Sequence, residues 1–207
     1  IEKIETDEQI KEKHQKEALY LANQFANDFF KYSLKETDEG KSIGLSYLKI
    51  RGYHLKTIDA FEIGYSPNNY NALELKANES NYSLDPLKKC GLIKENEKGN
   101  YDFFRGRVIF PIHSFSGRIL GFGGRALNPN AKAKYQNSPE SLIYNKSKIL
   151  YGIFFAKNAI SKNDNCFIVE GYTDVISLYQ KGIENVVSAS GTALSIDQIK
   201  LISRFTN

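Results

Sequence analysis

Apolar residues recur at helical spacing over residues 7–31, where Ala18, Leu21, Ala22, Phe25 and Phe29 share one face. Thr6, followed by Gln9 three residues on, has the form of a capping box at the start of that run. The pattern predicts an amphipathic helix whose apolar stripe belongs to a core. A second, shorter helix is expected over 40–50, with Ile43, Tyr47, Leu48 and Ile50 inward and Gly52 as its C-terminal cap. A third covers 55–61 and is followed by a short extended piece, EIGYSP, ending at Pro67. Residues 70–93 read as mostly helical, broken at LDPLKKCG.

The texture changes near residue 100. β-rich runs flank the turn signal Ser116-Gly117, so antiparallel strands are expected at 106–112 and 118–126. Residues 128–148 form a polar loop, long enough to point to function. A helix follows at 151–161. From 165 the period changes again. A buried-type strand at 166–170 leads into a helix at 172–181, with Val175, Ile176 and Tyr179 on one face and Gly182 at its end. A strand at 186–190, a Gly-Thr turn and a helix at 195–205 opening on Ser195 complete the chain. That order, β-α-β-α, begins a parallel α/β sheet.

The expected fold class is therefore an α+β N-terminal subdomain over 1–164, followed by the first β-α-β-α part of an α/β, Rossmann-like module over 165–207. Within the first, 1–98 is helical, 100–127 β-rich, 128–148 a basic loop and 151–161 a helix.

Composition narrows the classes. With 207 residues, 41% of them hydrophobic, a real core is within reach. No apolar run approaches the roughly 20 residues that a membrane helix needs, and no signal peptide opens the chain, so no membrane partner is expected. The absence of Met, even at position 1, reads as a piece of a longer protein. Cys90 and Cys166 lie far apart, and His14, His54 and His113 lack ligand spacing. This points to a reducing cytosol, with neither a disulfide framework nor structural zinc in this stretch.

The formal charge of +4 hides an asymmetry. Residues 1–40 hold six lysines against ten acidic residues, a net −4; residues 105–157 hold four arginines and five lysines against Glu140, a net +8. A basic middle favours a polyanion or nucleotide phosphates, although a solvated lysine-rich face has the same composition.

Against that background the stretch FIVEGYTDVI, 167–176, stands out. Glu170 ends an apolar strand, Gly171 removes a side chain beside it, and Asp174 lies one helical turn on. In open α/β sheets, ligands bind beyond the carboxyl ends of the strands. Two acids at a helix start can serve simply as dipole partners. They can also hold a divalent cation, since Mg²⁺ takes one or two carboxylates plus substrate phosphates. Acids beside a phosphate-attracting region are what phosphoryl-transfer chemistry requires. GFGG, 121–124, fails the dinucleotide fingerprint because position 126 is Ala; it reads as backbone room beside a nucleic-acid groove.

IVEGYTDVI, followed by SASGTALS, resembles the first half of a Toprim module, the metal-binding fold shared by topoisomerases, some nucleases and bacterial-type DNA primases. Upstream, YLKIRGY, IGYSP, FRGRVIFPI, GFGGRAL, KYQNSPES and LYG follow one another in the order of a bacterial, DnaG-type primase core. The resemblance covers nearly the whole chain from about residue 45.

It implies DNA-directed synthesis of short RNA primers on single-stranded DNA from ribonucleoside triphosphates, with Mg²⁺ or Mn²⁺. A replicative helicase as partner and the bacterial cytoplasm as location come with it. Glu170 would ligate metal or handle protons at the polymerising centre, and Asp174 would help complete the metal cluster. Lys134 and Lys146 would contact the incoming nucleotide or primer end. Arg51, Arg125, Tyr135 and Asn137, with Arg105 and Arg107, would form the surrounding nucleotide- and nucleic-acid-binding set. Plainer roles stand beside these: Arg51 at a helix end favours the dipole, Asn137 before Ser-Pro shapes a turn, and Tyr135 suits a core.

Two parts of the family pattern are not met in these residues. No Cys/His cluster precedes residue 50, so zinc is expected only in a separate N-terminal module. No Asp follows Asp197, so the Asp-x-Asp pair of a Toprim site is missing and the piece is expected to be inactive alone. The competing readings are another Toprim enzyme, a nuclease or topoisomerase, and a non-catalytic nucleic-acid-binding module.

Overall fold

In a computed structural model, residues 6–189 and 193–206 are described. Helix α1, Asp7–Glu36, opens on a reciprocal cap: the Gln9 N–H donates to Thr6 Oγ1 at 3.3 Å and the Thr6 N–H to Gln9 Oε1 at 3.0 Å. Its buried stripe is Leu19, Ala22, Ala26, Phe30 and Leu34. Leu21, expected inward, is exposed, and Phe25 and Phe29 only flank the core. Near its C-terminal end α1 lies close against the chain at Gly64: a Cβ on Gly64 would come within 2.5 Å of Phe30 Cβ, so only glycine fits there.

The expected helix over 40–50 is two windings. Gly40–Leu45 is π-helical and runs into α2, Ser46–Ile50. The wider turn shifts the phase of the apolar face. Leu48 is buried, but Ile43 is exposed and Ile50 is 85% exposed, against expectation. Gly52, at φ 82°, follows as the left-handed cap that only glycine adopts readily. Next come α3, Leu55–Ala60, β1, Gly64–Ser66, α4, Ala72–Glu79, and α5, Leu84–Lys89. The helical run ends there, because β2, Ile93–Asn96, and β3, Gly99–Asp102, form a hairpin turned at Gly99, φ 105°.

β4, Arg107–His113, and β5, Ile119–Ala126, are the antiparallel pair expected from the sequence. β1 pairs with β4 on one side. On the other, β6, Tyr135–Asn137, pairs with Gly123–Arg125 of β5, placing a strand inside the expected loop. A 3₁₀ turn, Lys146–Lys148, follows, and then α6, Ile153–Asn163.

The last part is β7, Phe167–Val169, α7, Tyr172–Gln180, β8, Val186–Ser188, and α8, Ile196–Ile202, with β7 and β8 parallel. The fold class is thus the expected one, a mixed α+β part followed by β-α-β-α. β7 is not buried as expected: Phe167 is 53% and Ile168 47% exposed, and since successive side chains point to opposite faces, neither face of the strand is fully covered there. Ser190 and the Gly-Thr turn after β8 lie outside the described residues.

One core cluster joins the two parts. Phe110 of β4 and Tyr151 pack with Tyr172, Val175 and Ile176 of α7. Tyr172 is caged by these rings, stacked on Phe110 at 5.7 Å between centroids and edge-on to Tyr151 at 4.5 Å. Among the described residues no helix is long and apolar enough to cross a membrane.

Candidate functional site

The carboxyl ends of β7 and β8 are tied by the Ser188 hydroxyl, which donates to the Glu170 carbonyl at 2.8 Å. That bond fixes the main chain of Glu170 and leaves its exposed side chain at the end of the strand. The Gly171 N–H donates to Asp174 Oδ2 at 3.0 Å, so Asp174 does cap its own helix. Its carboxylate nevertheless remains exposed on the opening turn of α7, four residues after Glu170. Two hard oxygen donors at a strand end suit Mg²⁺, which needs only one or two carboxylates from protein. Among the described residues, no three His, Cys, Asp or Glu side chains converge as a metal-binding group.

The basic candidates are held from behind by their backbones. Arg51 sits on an exposed turn that is bound to the far end of α7. Gln180 Nε2 donates to the Gly52 carbonyl at 2.9 Å, and the His54 N–H donates to Gln180 Oε1 at 2.8 Å. The Tyr53 hydroxyl adds a bond to the Thr173 carbonyl at 3.1 Å. Arg125 donates to the Tyr135 hydroxyl at 2.7 Å, and its guanidinium lies 5.0 Å from the Tyr135 ring and 5.5 Å from that of Tyr47. Burial pushes the Tyr47 phenol up, while the positive charges of Arg125 and, less, Arg51 pull against it.

Asn137 Oδ1 accepts from the Tyr172 hydroxyl at 2.6 Å, joining β6 to the first residue of α7. Lys146 begins the 3₁₀ turn; its N–H donates to Glu140 Oε1 at 2.9 Å and its carbonyl accepts from Gln198 of α8 at 3.1 Å. Arg51, Arg125, Tyr135, Asn137, Lys146, Glu170 and Asp174 therefore hang on one frame, made by α7, β8, α8 and the sheet edge.

Lys134 is exposed just before β6, where its carbonyl pairs with the Ala126 N–H at 2.9 Å. Arg107, expected in the nucleotide- and nucleic-acid-binding set, has most of its side chain inside the protein. It is 8% exposed, and its guanidinium donates to the carbonyls of Gly124, Ala133 and Lys134 at 3.2, 3.0 and 3.5 Å. A buried guanidinium must spend its donors inside, and here they brace the segment carrying Lys134. Arg105 is exposed, over the rings of Tyr70 and Tyr101 at 5.1 and 5.4 Å, and with Arg107 lines a cleft of about 500 Å³ that also holds Asn68, Asn128 and Gln136.

GFGG also departs from expectation. A Cβ on Gly123 would lie 2.2 Å from the Tyr172 ring, one on Gly124 2.6 Å from Phe104, and one on Gly121 3.1 Å from Tyr144. The room these glycines make is filled by the protein's own aromatic rings. Tyr53, Gln180, Gln198 and the Tyr172 hydroxyl were not foreseen as parts of the site. Only Gln198 had a local signal, standing three residues after Ser195 as in a capping box.

Residues 29–157 match the family model described as DNA primase catalytic core, N-terminal domain, and residues 164–207 match that of the Toprim domain. The chain is 40% identical over 197 residues to the DNA primase of Halalkalibacterium halodurans, covering 94% of this chain and 33% of that protein. A structure of the DnaG primase catalytic domain bound to single-stranded DNA superposes with a TM-score of 0.85 at 36% identity, over 94% of this chain and 62% of the other. The crystal structure of the Aquifex aeolicus primase zinc-binding and RNA polymerase domains gives a TM-score of 0.84 at 34% identity, over 93% and 46%. The chain spans about a third of the length of the curated relatives it matches.

Proposed function

The chain belongs to the DnaG-type DNA primase family, as part of its catalytic core, and from that premise we propose that in the full-length protein it takes part in DNA-directed synthesis of short RNA primers on single-stranded DNA. The observation that carries this is the shared frame of acids and cations. α7 presents Glu170 and Asp174 at its start and is hydrogen-bonded to the Arg51 turn and to Asn137.

Glu170 and Asp174 would hold part of a Mg²⁺ or Mn²⁺ site, and the bound ion would supply charge neutralisation on the phosphates. In the transfer itself the 3′-hydroxyl of the growing strand attacks the α-phosphorus of a ribonucleoside triphosphate and pyrophosphate leaves. Glu170, exposed at the strand end, is the acid positioned to take the hydroxyl proton or to ligate the ion. Lys134 and Lys146 serve as compact charges on triphosphate or primer phosphates, and Arg51 and Arg125 as forks for the same oxygens. Tyr135 offers a ring face to a base. Asn137 Oδ1 is committed to Tyr172, so its amide donors are what it offers a sugar or base.

Of the cations in 105–157, Arg107 is buried and Arg118 is paired with Glu17, but Arg105, Lys132, Lys134 and Lys148 are exposed, and these support a template path, in keeping with the relative solved with single-stranded DNA. Zinc belongs to a separate domain, as in the Aquifex aeolicus protein. The helicase partner and the bacterial cytoplasm follow from the same family role.

Incubating the full-length protein with a single-stranded template, ribonucleotides and Mg²⁺ or Mn²⁺ tests this. Short, template-dependent RNA is the expected product. Template cleavage or relaxation without RNA would instead establish a different Toprim activity, and binding without any reaction a non-catalytic module.

A further inference from the structure

We propose that Gln198 is a positioning residue for Lys146, an assignment that rests on the reading of Lys146 as a phosphate contact. Gln198 lies on α8 with 0% exposure, so each polar atom of its amide needs a partner inside the protein. Nε2 donates to the Lys146 carbonyl at 3.1 Å and to the Ile149 carbonyl at 2.8 Å. Oε1 accepts from the Ser195 N–H at 3.0 Å, and the Gln198 N–H donates to Ser195 Oγ at 3.1 Å. Ser195 Oγ in turn donates to the Ser147 carbonyl.

The capping box of α8 is thus turned outward onto one element, the 3₁₀ turn Lys146–Lys148, and holds it at both ends. A single 3₁₀ turn has poor hydrogen-bond geometry and does not fix itself. Its other supports are local: Asn145 Oδ1 accepts from the Ser147 N–H at 3.0 Å, and Glu140 takes the Lys146 N–H. An apolar side chain would fill the same buried space but would leave two carbonyls without donors. Lys146 lies in the stretch matching the primase core and Gln198 in the stretch matching the Toprim domain. The amide therefore carries register from the acid-bearing part to a cation of the other part.

The test uses the full-length protein with Gln198→Leu, which keeps bulk, and Gln198→Glu, which keeps the acceptor for Ser195 but removes both donors. Two readouts are taken. Amide hydrogen exchange over 145–150 should accelerate in both variants, with β4 and β5 still protected. Primer synthesis should fall roughly ten- to a hundredfold in kcat, as expected for displacement of a group near the reacting centre. In a Lys146→Ala background the same Gln198 changes should cost nothing further. Unchanged exchange over 145–150, or an equal loss of activity in both backgrounds, would overturn the positioning role. If Lys146→Ala by itself primes at the wild-type rate, the phosphate reading of Lys146 fails, and the exchange result alone decides whether Gln198 holds the turn.

Discussion

The Tyr172 hydroxyl and Asn137 Oδ1 are 2.6 Å apart, a bond that spans the junction between the edge of the antiparallel sheet and the helix that presents the acids. Its removal is a clean test of how firmly the two parts are joined. Tyr172→Phe keeps the ring in its cage and deletes only the donor. It should cost about 1 kcal/mol of stability, more where Asn137 is left without water. It should also weaken nucleotide use, seen as a raised KM for ribonucleotides. An unchanged melting temperature together with unchanged KM would show that the bond holds nothing in place.

Gly123→Ala should be far more damaging than its size implies. The new methyl would sit 2.2 Å from a Tyr172 ring that Phe110 and Tyr151 hold in place. Overpacking of that kind costs about 1–3 kcal/mol or more. Gly171→Ala is the contrast, since among the described residues a Cβ there meets only Asp174 Oδ2, at 3.5 Å. It should leave stability nearly intact, and any loss of priming would mark ligand approach at that point. Denaturant midpoints of the two variants decide it; equal midpoints would contradict the packing account.

Away from the site, His113, buried against Phe154 and Phe155, faces Glu62 at 2.9 Å, and Lys31 bonds the other Glu62 oxygen at 3.0 Å. The hydrogen bond to His113, aided by Lys31, lowers the Glu62 carboxyl from its ordinary 4.5 to about 2. A carboxyl depressed in the folded state stabilises it above the unfolded value, and that stabilisation is lost as pH falls through the folded one. Glu62→Gln should therefore be less stable than wild type at neutral pH, with the gap closing between pH 4.5 and about 2. Unfolding free energies across that range provide the check; a gap independent of pH would remove the charge from the explanation.

The basic region predicts weak, sequence-tolerant binding of single-stranded DNA that falls steeply with salt, because neutralised phosphates release counterions. Titrations at low and at physiological salt should show this. A flat response would place the template elsewhere.

What was legible in the sequence was what local periodicity carries. The capped α1, the β4–β5 hairpin and the β7-α7-β8-α8 order all rest on runs long enough to show their period. The three-residue β6 was not legible, since its only reason to form is the free edge of β5. Ile43 and Ile50 were misplaced because a π-helical winding leaves no sign in an apolar pattern. In the site, Glu170 and Asp174 were visible as acids closing an apolar run. Arg107 could not be told from Arg105 by type, though one is buried on carbonyls and the other lies over two rings. Gln180 and Gln198 act on main chain 128 and 52 residues away, which no local pattern records.

We place Glu170 at the polymerising centre of the full-length protein. Its side chain is exposed and without a hydrogen-bond partner among the described residues, so Glu170→Gln should leave the fold and DNA binding intact. The decisive measurement is primer synthesis by the full-length protein and by its Glu170→Gln variant on one single-stranded template, with DNA affinity and melting temperature followed in parallel. The expected result is loss of RNA product on the order of 10²-fold or more at unchanged affinity and melting temperature. Primer synthesis at the wild-type rate by the variant would contradict it.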